Sequence, residues 1–298
     1  MKLAKKIGAL DSPEEERRIN NITIPRLGGL AVICGFVISM IYLLITMTLK
    51  NKIDLSADNL KLFGFAVGGL LISVVCFIDD VRDLPAISKL IIQIIAAIIV
   101  VKSGIVIDNI SIPFINNEIF SIILTIGWIV GITNAINLID GLDGLSVGIS
   151  LIACISLLII FFLNGSLLIS IIMITALAGA LLGFLPYNYN PARTFTGDVG
   201  SNFIGYCLSI ISILGTANTY TISVILAPLI VLALPVCDTI FAIIRRTIRE
   251  KSLKAIITPD ANHLHHKMLR MGFTQKKAVW ILYAITTMLG IFAIILVK

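Results

Sequence analysis

Six aspartates of this chain gather in three short segments: Asp79-Asp80-Val-Arg-Asp83, Asn137-Leu-Ile-Asp140-Gly-Leu-Asp143-Gly144, and Gly197-Asp198. All three histidines share a fourth, His263-Leu-His265-His266. Acids are otherwise scarce, 17 in 298 residues. Adjacent carboxylates repel one another unless a cation is shared between them. Mg²⁺ suits carboxylate and phosphate oxygens, so the pattern fits a divalent cation and a phosphorylated substrate. If the helix continues past Arg82, Asp79 and Asp83 share one face, with Asp80 beside them.

The second segment sets each aspartate before a glycine, where the backbone can approach a ligand closely. Asn134 and Asn137 add amides able to reach a base or ribose; a plain Asp-Gly turn is the simpler reading. From Asn188 to Ser201 the chain offers Arg193, Phe195, Asp198 and a glycine-rich helix start. Phe195 could stack on a base or anchor the membrane interface, and free N–H groups at Gly197 to Ser201 would favour a diphosphate. Asp238 is the one acid inside an apolar run, roughly 10 Å from Arg245 by helical rise. A substrate contact and a buried tie to an arginine fit it equally.

Nine basic residues lie between Arg245 and Lys277. Thr258-Pro259 and Gly272 read as start and stop signals, predicting a helix over 259–271 with His263 and His266 on one side and His265 turned away. Zinc is disfavoured, since the segment lacks cysteine and the nearby acids prefer harder cations. Hydrogen bonding to phosphate or sugar suits these histidines better. Lys251 and Lys254 equally suit anionic lipid.

The elements that carry these segments are membrane helices. The composition is 58% hydrophobic and 13% charged, with a mean hydropathy of +1.03, which marks an all-α polytopic membrane protein. Nine apolar runs long enough to span a bilayer lie near 27–49, 60–78, 88–103, 119–139, 144–163, 167–185, 200–217, 221–244 and 277–297. No signal peptide is evident, because the first apolar run is too long and too late for one. Alternating the loops puts eighteen of the 23 Lys and Arg, all the clustered acids and the histidines on one side, the cytoplasm by the positive-inside rule. On the other side, residues 105–115 suggest a small extracytoplasmic hairpin. The five cysteines all fall in apolar runs and read as core residues. No repeat or linker divides the chain, so 1–298 is read as a single membrane domain.

The ordered series Pro25-Arg26-Leu-Gly28-Gly29, Asp79-Asp80, Asn134 to Gly144, Phe195-Thr-Gly-Asp198, Pro235-Val-Cys-Asp238 and His263-Leu-His265-His266 resembles the polyprenyl-phosphate N-acetylhexosamine-1-phosphate transferase family. That family is related to the phospho-MurNAc-pentapeptide translocase. The resemblance spans nearly the whole chain.

It implies transfer of an N-acetylhexosamine-1-phosphate, most simply GlcNAc-1-phosphate, from a UDP-sugar to undecaprenyl phosphate, releasing UMP with Mg²⁺ or Mn²⁺. The product would begin a surface glycan such as teichoic acid or the O-antigen of lipopolysaccharide. By the same resemblance Asp198 is the principal metal ligand, with Asp79 and Asp80 at the metal and lipid phosphate. Asp79, Asp80, Asp140, Asp143, His263, His265 and His266 would be catalytic. Lys89, Asn134, Asn137, Asn188, Phe195, Asp238, Arg245 and Arg246 would bind substrate, Lys89 at the lipid phosphate. Expected partners are the UDP-sugar, the polyprenyl phosphate, membrane lipid and a second copy of the chain, with no nucleic acid. The expected location is the cytoplasmic (inner) membrane, with the site facing the cytoplasm. Relatives usually carry a further helix before the segment that starts at Met1, and many another after Lys298; neither holds a quoted motif, so activity is expected without them. A transporter of nucleotide sugars or lipid-linked sugars is the alternative. It would require polar groups near the middle of several helices, where this chain has few.

Overall fold

A computed structural model describes residues 10–11, 24–50, 58–107, 117–217, 222–250 and 263–298. Two-residue strands β1 (Leu10–Asp11) and β2 (Ile24–Pro25) pair antiparallel. All other regular structure described is helical. In chain order the helices are α1 (Gly28–Leu49), α2 (Asn59–Arg82), α3 (Ala86–Lys102), α4 (Glu118–Ile139), α5 (Leu145–Leu163), α6 (Leu168–Asn188), α7 (Gly197–Thr216), α8 (Ile222–Val231), α9 (Ala233–Glu250), α10 (Leu264–Arg270) and α11 (Gln275–Val297).

Among the described residues, seven helices are long and apolar enough to cross a membrane, or eight if α8 and α9 form one broken span. The sequence suggested nine. Helix α3 has 17 residues, about 26 Å at 1.5 Å per residue, against a hydrocarbon core of about 30 Å. The run expected at 221–244 is two helices bent by 68°. Pro235 supplies a cause: it has no N–H for the Val231 carbonyl, and its ring crowds that position. Most of the suggested hairpin, residues 108–116, lies outside the described residues.

Helix α7 is the axis of the bundle. Of its apolar window 94% is buried, against 11% for α1 and 28% for α11. It packs on α1, α2, α4, α5 and α6. Small residues make this possible, because membrane helices associate by close packing rather than by hydrophobic exclusion of water. Gly29 and Gly200 lie so close that a Cβ on either would collide with the other's backbone. Large apolar side chains such as Ile38, Phe63, Leu70, Phe162 and Phe292 are exposed on the perimeter, as a lipid-facing surface would have them. Cys76, Cys154 and Cys207 are buried as expected, whereas Cys34 and Cys237 are exposed; none forms a disulfide.

The Gly29–Gly200 contact also docks the chain before α1 onto the chain before α7. The N–H groups of Gly28 and Gly29 donate to the carbonyls of Phe195 and Thr196, each at 2.9 Å, and the Phe195 N–H donates to the Pro25 carbonyl at 2.8 Å. Residues far apart in sequence thus form one wall of a cleft at one end of the bundle.

Candidate active site

The cleft has a volume of about 310 Å³ and takes its wall from every acidic segment: Asp79, Asp80 and Asp83, then Asp140 and Asp143, then Asp198. Asn137, Asn188, Phe195 and His266 line it too. The convergence follows from local geometry at helix ends. Helix α2 stops at Arg82 because Asp83 takes a left-handed conformation, φ 47°. Asp79 and Asp83 therefore do not share a helical face, and Asp83 turns to Arg26, 3.8 Å away. After α4, Gly144 at φ 77° allows the 140–144 turn that starts α5, and Gly197 at φ 70° starts α7; only glycine adopts such angles without strain.

Asp198 and Asp79 share one positive charge. Lys89 Nζ lies 2.6 Å from Asp198 Oδ2 and 2.7 Å from Asp79 Oδ2. The other Asp79 oxygen accepts the Leu84 N–H at 2.6 Å. Asp80 is engaged differently: its two oxygens accept the N–H groups of Asp198 and Val199, at 2.8 and 3.0 Å. The sequence reading placed a substrate diphosphate at this helix start. There the protein's own carboxylate already meets the N–H groups, which attract any nearby anion.

Beneath Lys89 and Asp198 runs a chain of amides. Asn134 Nδ2 donates to Gln93 Oε1 at 2.5 Å, Gln93 Nε2 to Asn202 Oδ1 at 2.8 Å, and Asn202 Nδ2 to the Asp198 carbonyl at 2.8 Å. Gln93 follows Lys89 by one helical turn, as Asn202 follows Asp198.

At the opposite wall Asp140 accepts a 2.5 Å hydrogen bond from Ser146 Oγ. Burial raises its carboxyl to about 7; the Ser146 hydroxyl opposes this, and the nearby Asp198, Asp80 and Asp143 carboxylates add to it. Asp143 Oδ2 accepts from Asn190 Nδ2 at 2.9 Å and from the Ala192 N–H at 3.0 Å. Asn188 accepts the Gly144 N–H and donates to the Thr194 carbonyl. Asp143 and Asn188 thus tie the loop that carries Phe195 to the 140–144 turn.

The histidines divide among three tasks. His263 Nδ1 is 2.8 Å from Asp238 Oδ2, and Arg246 Nη2 lies 3.5 Å from His263 Nε2. His265 is buried, and its ring presses against Gly141, where a Cβ would collide with it. Burial, with the neighbouring His266 and His263, holds His265 down to about 3, so it is neutral at physiological pH. Only His266 reaches the cleft.

The sequence that builds this site has counterparts among known proteins. The sequence pattern described as glycosyl transferase family 4 matches residues 62–216, a span that holds all three acidic segments. A probable undecaprenyl-phosphate N-acetylglucosaminyl 1-phosphate transferase of Bacillus subtilis (strain 168) is 38% identical over 99% of this chain and 79% of its own length. The chain belongs to glycosyl transferase family 4. A decaprenyl-phosphate N-acetylglucosaminephosphotransferase of Mycolicibacterium smegmatis is 32% identical over 94% of this chain and 73% of its own. A phospho-N-acetylmuramoyl-pentapeptide-transferase of Staphylococcus saprophyticus is 31% identical over 90% and 84%.

In this family 4 chain several expected site residues lie elsewhere. Asn134 sits below the cleft in the amide chain, because it is a helical turn deeper in α4 than Asn137. Lys89 is held between two carboxylates. Asp238 and Arg245 line a separate, mostly apolar groove of about 760 Å³, and Arg246 is buried beside His263. The predicted helix start at Thr258-Pro259 lies outside the described residues. Helix α10 begins at Leu264, with His263 as its cap, and stops before Gly272 at φ 88°. Since His263 precedes the helix, the helical spacing that paired it with His266 does not apply.

Sequence reasoning missed Gln93, Asn202, Ser146 and Gln275. Gln93 and Asn202 carried a signal, being polar residues one turn from a charged one within apolar runs; Gln275, which lines the cleft, carried none.

As for a metal, no group of three or more His, Cys, Asp or Glu among the described residues could form a cage. The donor set does fit a cation held by one or two carboxylates, water and substrate phosphate, as Mg²⁺ commonly is. Asp198 and Asp79 are the residues that would hold it, since they already converge on one ammonium. Asp80 suits that place less well, because both of its oxygens accept main-chain N–H groups at the start of α7, whereas Asp79 Oδ2 and Asp198 Oδ2 face the side-chain ammonium of Lys89.

Proposed function

We propose that this protein transfers GlcNAc-1-phosphate from UDP-GlcNAc to undecaprenyl phosphate in the cytoplasmic membrane, releasing UMP. The observation that carries the reading is the convergence of Asp79 and Asp198 on Lys89 in a cleft that opens at one end of an apolar bundle. There a soluble nucleotide and a membrane-embedded phosphate can meet. The excess of basic residues on that side supports a cytoplasmic orientation. With α3 crossing at a thinned site and α8–α9 counted once, nine crossings result.

In the reaction an oxygen of the lipid phosphate attacks the β-phosphorus of the UDP-sugar. The bond from that phosphorus to the bridging oxygen breaks, and UMP leaves with the oxygen. Such transfer depends on positioning and charge stabilisation more than on covalent help from the protein. Bound Mg²⁺ would neutralise the diphosphate. Lys89 adds a fixed positive charge behind the Asp79 and Asp198 carboxylates. Asp79 positions Lys89 through Oδ2 and is not needed as a base, because a phosphate monoester is already largely ionised at neutral pH. Phe195 offers a face for the uracil, Asn137 an amide for the ribose or base, and His266 a hydrogen bond to the sugar phosphate.

The test uses the purified protein with radiolabelled UDP-GlcNAc, undecaprenyl phosphate and Mg²⁺. The expected result is lipid-soluble label with equimolar UMP. No label from any UDP-hexosamine would overturn the reading, and a trapped covalent phospho-sugar would replace the single attack by a two-step path.

A further inference from the structure

Asp238 is the acid most deeply set in an apolar run, yet both of its oxygens have partners outside its own helix. Oδ2 is 2.8 Å from His263 Nδ1, and Oδ1 accepts the Leu264 N–H at 2.9 Å. The pair is enclosed, with side-chain exposures of 10% for Asp238 and 4% for His263. Asp238 therefore fastens the start of α10 to α9 across 25 residues of chain.

Helix α10 needs such a fastening. Seven residues do not hold a helix by themselves, so its place is set by what it touches. Met268 enters an apolar cluster with Ile139 and Leu142, and His265 rests on Gly141. The three imidazoles then form a row. His263 and His265 are parallel, 5.9 Å apart with 5° between planes, and His265 and His266 are 4.2 Å apart and tilted by 44°. Asp238 holds one end of this row. His266 stands in the acidic cleft at the other.

We propose that Asp238 and His263 form a latch that seats α10 and thereby aims His266 into the cleft, so that Asp238 is a positioning residue and not a substrate ligand. The inference rests on the transferase reading for its kinetic consequences only. A latch acts through what it positions: once His266 is gone, releasing Asp238 has nothing left to misplace. A ligand acts independently of His266.

The test compares the full chain in detergent as wild type, Asp238→Ala, His263→Ala, His266→Ala, and the doubles Asp238→Ala/His263→Ala and Asp238→Ala/His266→Ala. Each single variant should lower kcat about 10- to 100-fold, the scale of a misplaced group. Neither double should be worse than its worse single by more than about twofold, as expected for residues acting through one another. Full multiplication of the Asp238 and His266 effects overturns the latch. So does a raised KM for the UDP-sugar in Asp238→Asn that His266→Ala does not share. An activity-independent arm counts histidines modified by diethyl pyrocarbonate. His266 should react in the wild type, with His263 and His265 protected, and all three should react in Asp238→Ala; unchanged protection also overturns the proposal. If Asp238→Ala does not fold, Asp238→Leu replaces it in both arms, since leucine is close in size and accepts from neither Leu264 nor His263. An inactive wild type would condemn the transferase reading while the modification pattern still decides the latch.

Discussion

The Asp198 N–H donates to Asp80 Oδ1 at 2.8 Å, while the Asp198 side chain faces Lys89. One residue of an adjacent pair, Asp80, thus caps the helix that presents the aspartate best placed for a cation. The N–H groups at the start of α7 would otherwise face the cleft unpaired.

Asp80 and Asp198 should consequently respond differently to loss of charge. Removing a helix cap costs about 0.5–2 kcal/mol, so Asp80→Ala should lower the thermal midpoint and the turnover together. Asp80→Asn should keep Mn²⁺ binding, followed by electron paramagnetic resonance. Asp198→Asn should stay folded and lose both Mn²⁺ binding and turnover. Equal loss of Mn²⁺ from the two variants would return Asp80 to the metal.

Replacing Lys89 by Met leaves Asp79 and Asp198 facing each other without their shared cation. Breaking a fully buried pair costs about 3–5 kcal/mol. Lys89 is 23% exposed and Asp198 31%, so solvent screening reduces the penalty to about 1–2 kcal/mol. The variant should be inactive and less stable in chelator, and a divalent cation should restore more of its thermal midpoint than it adds to the wild type. A cation-independent deficit would place the metal away from these carboxylates.

Much of this site was legible because acids in an apolar chain carry information. Asp79, Asp140, Asp143 and Asp198 stood out, and the cleft brings all four together. What the sequence hid was the division of labour. Adjacent Asp79 and Asp80 look alike in a string, but one reaches a lysine and the other the start of a helix more than a hundred residues away. The same blindness applied to Asp238, for which a substrate contact and a tie to an arginine fitted equally; its partner is His263, with Arg246 behind it. Span counting met a related limit. Hydropathy sees an apolar run at 221–244, whereas the bend is set by one missing N–H at Pro235.

Asp140 links activity to pH. Its carboxyl ionises near 7 instead of 3.8, so the stability it contributes is full below about 3.8 and is lost as pH rises through about 7. The ionised form also repels a diphosphate. Calorimetry without divalent cation should show UDP binding weakening between pH 6 and 8, and Asp140→Asn should reduce that dependence. Ser146→Ala removes a donor to the charged form and should move the midpoint to higher pH. A profile unchanged by Ser146→Ala would sever the link.

The amide chain gives the last prediction. Gln93 is 2% exposed and Asn202 fully buried, and each amide orients the next toward the Asp198 carbonyl. Gln93→Leu leaves Asn202 Oδ1 without its donor, a loss of about 1–3 kcal/mol for a buried polar group. It also frees α3, and with it Lys89, to shift against α7. Turnover should therefore fall about 10- to 100-fold, as for a displaced catalytic group, while KM for the nucleotide sugar stays within about twofold, since Gln93 does not line the cleft. The length-compensated double variant, Gln93→Asn with Asn202→Gln, should recover part of the loss by restoring a donor and an acceptor of the same combined reach. If the double variant is no better than Gln93→Leu although its thermal midpoint returns, the amides stabilise the bundle without positioning Asp198.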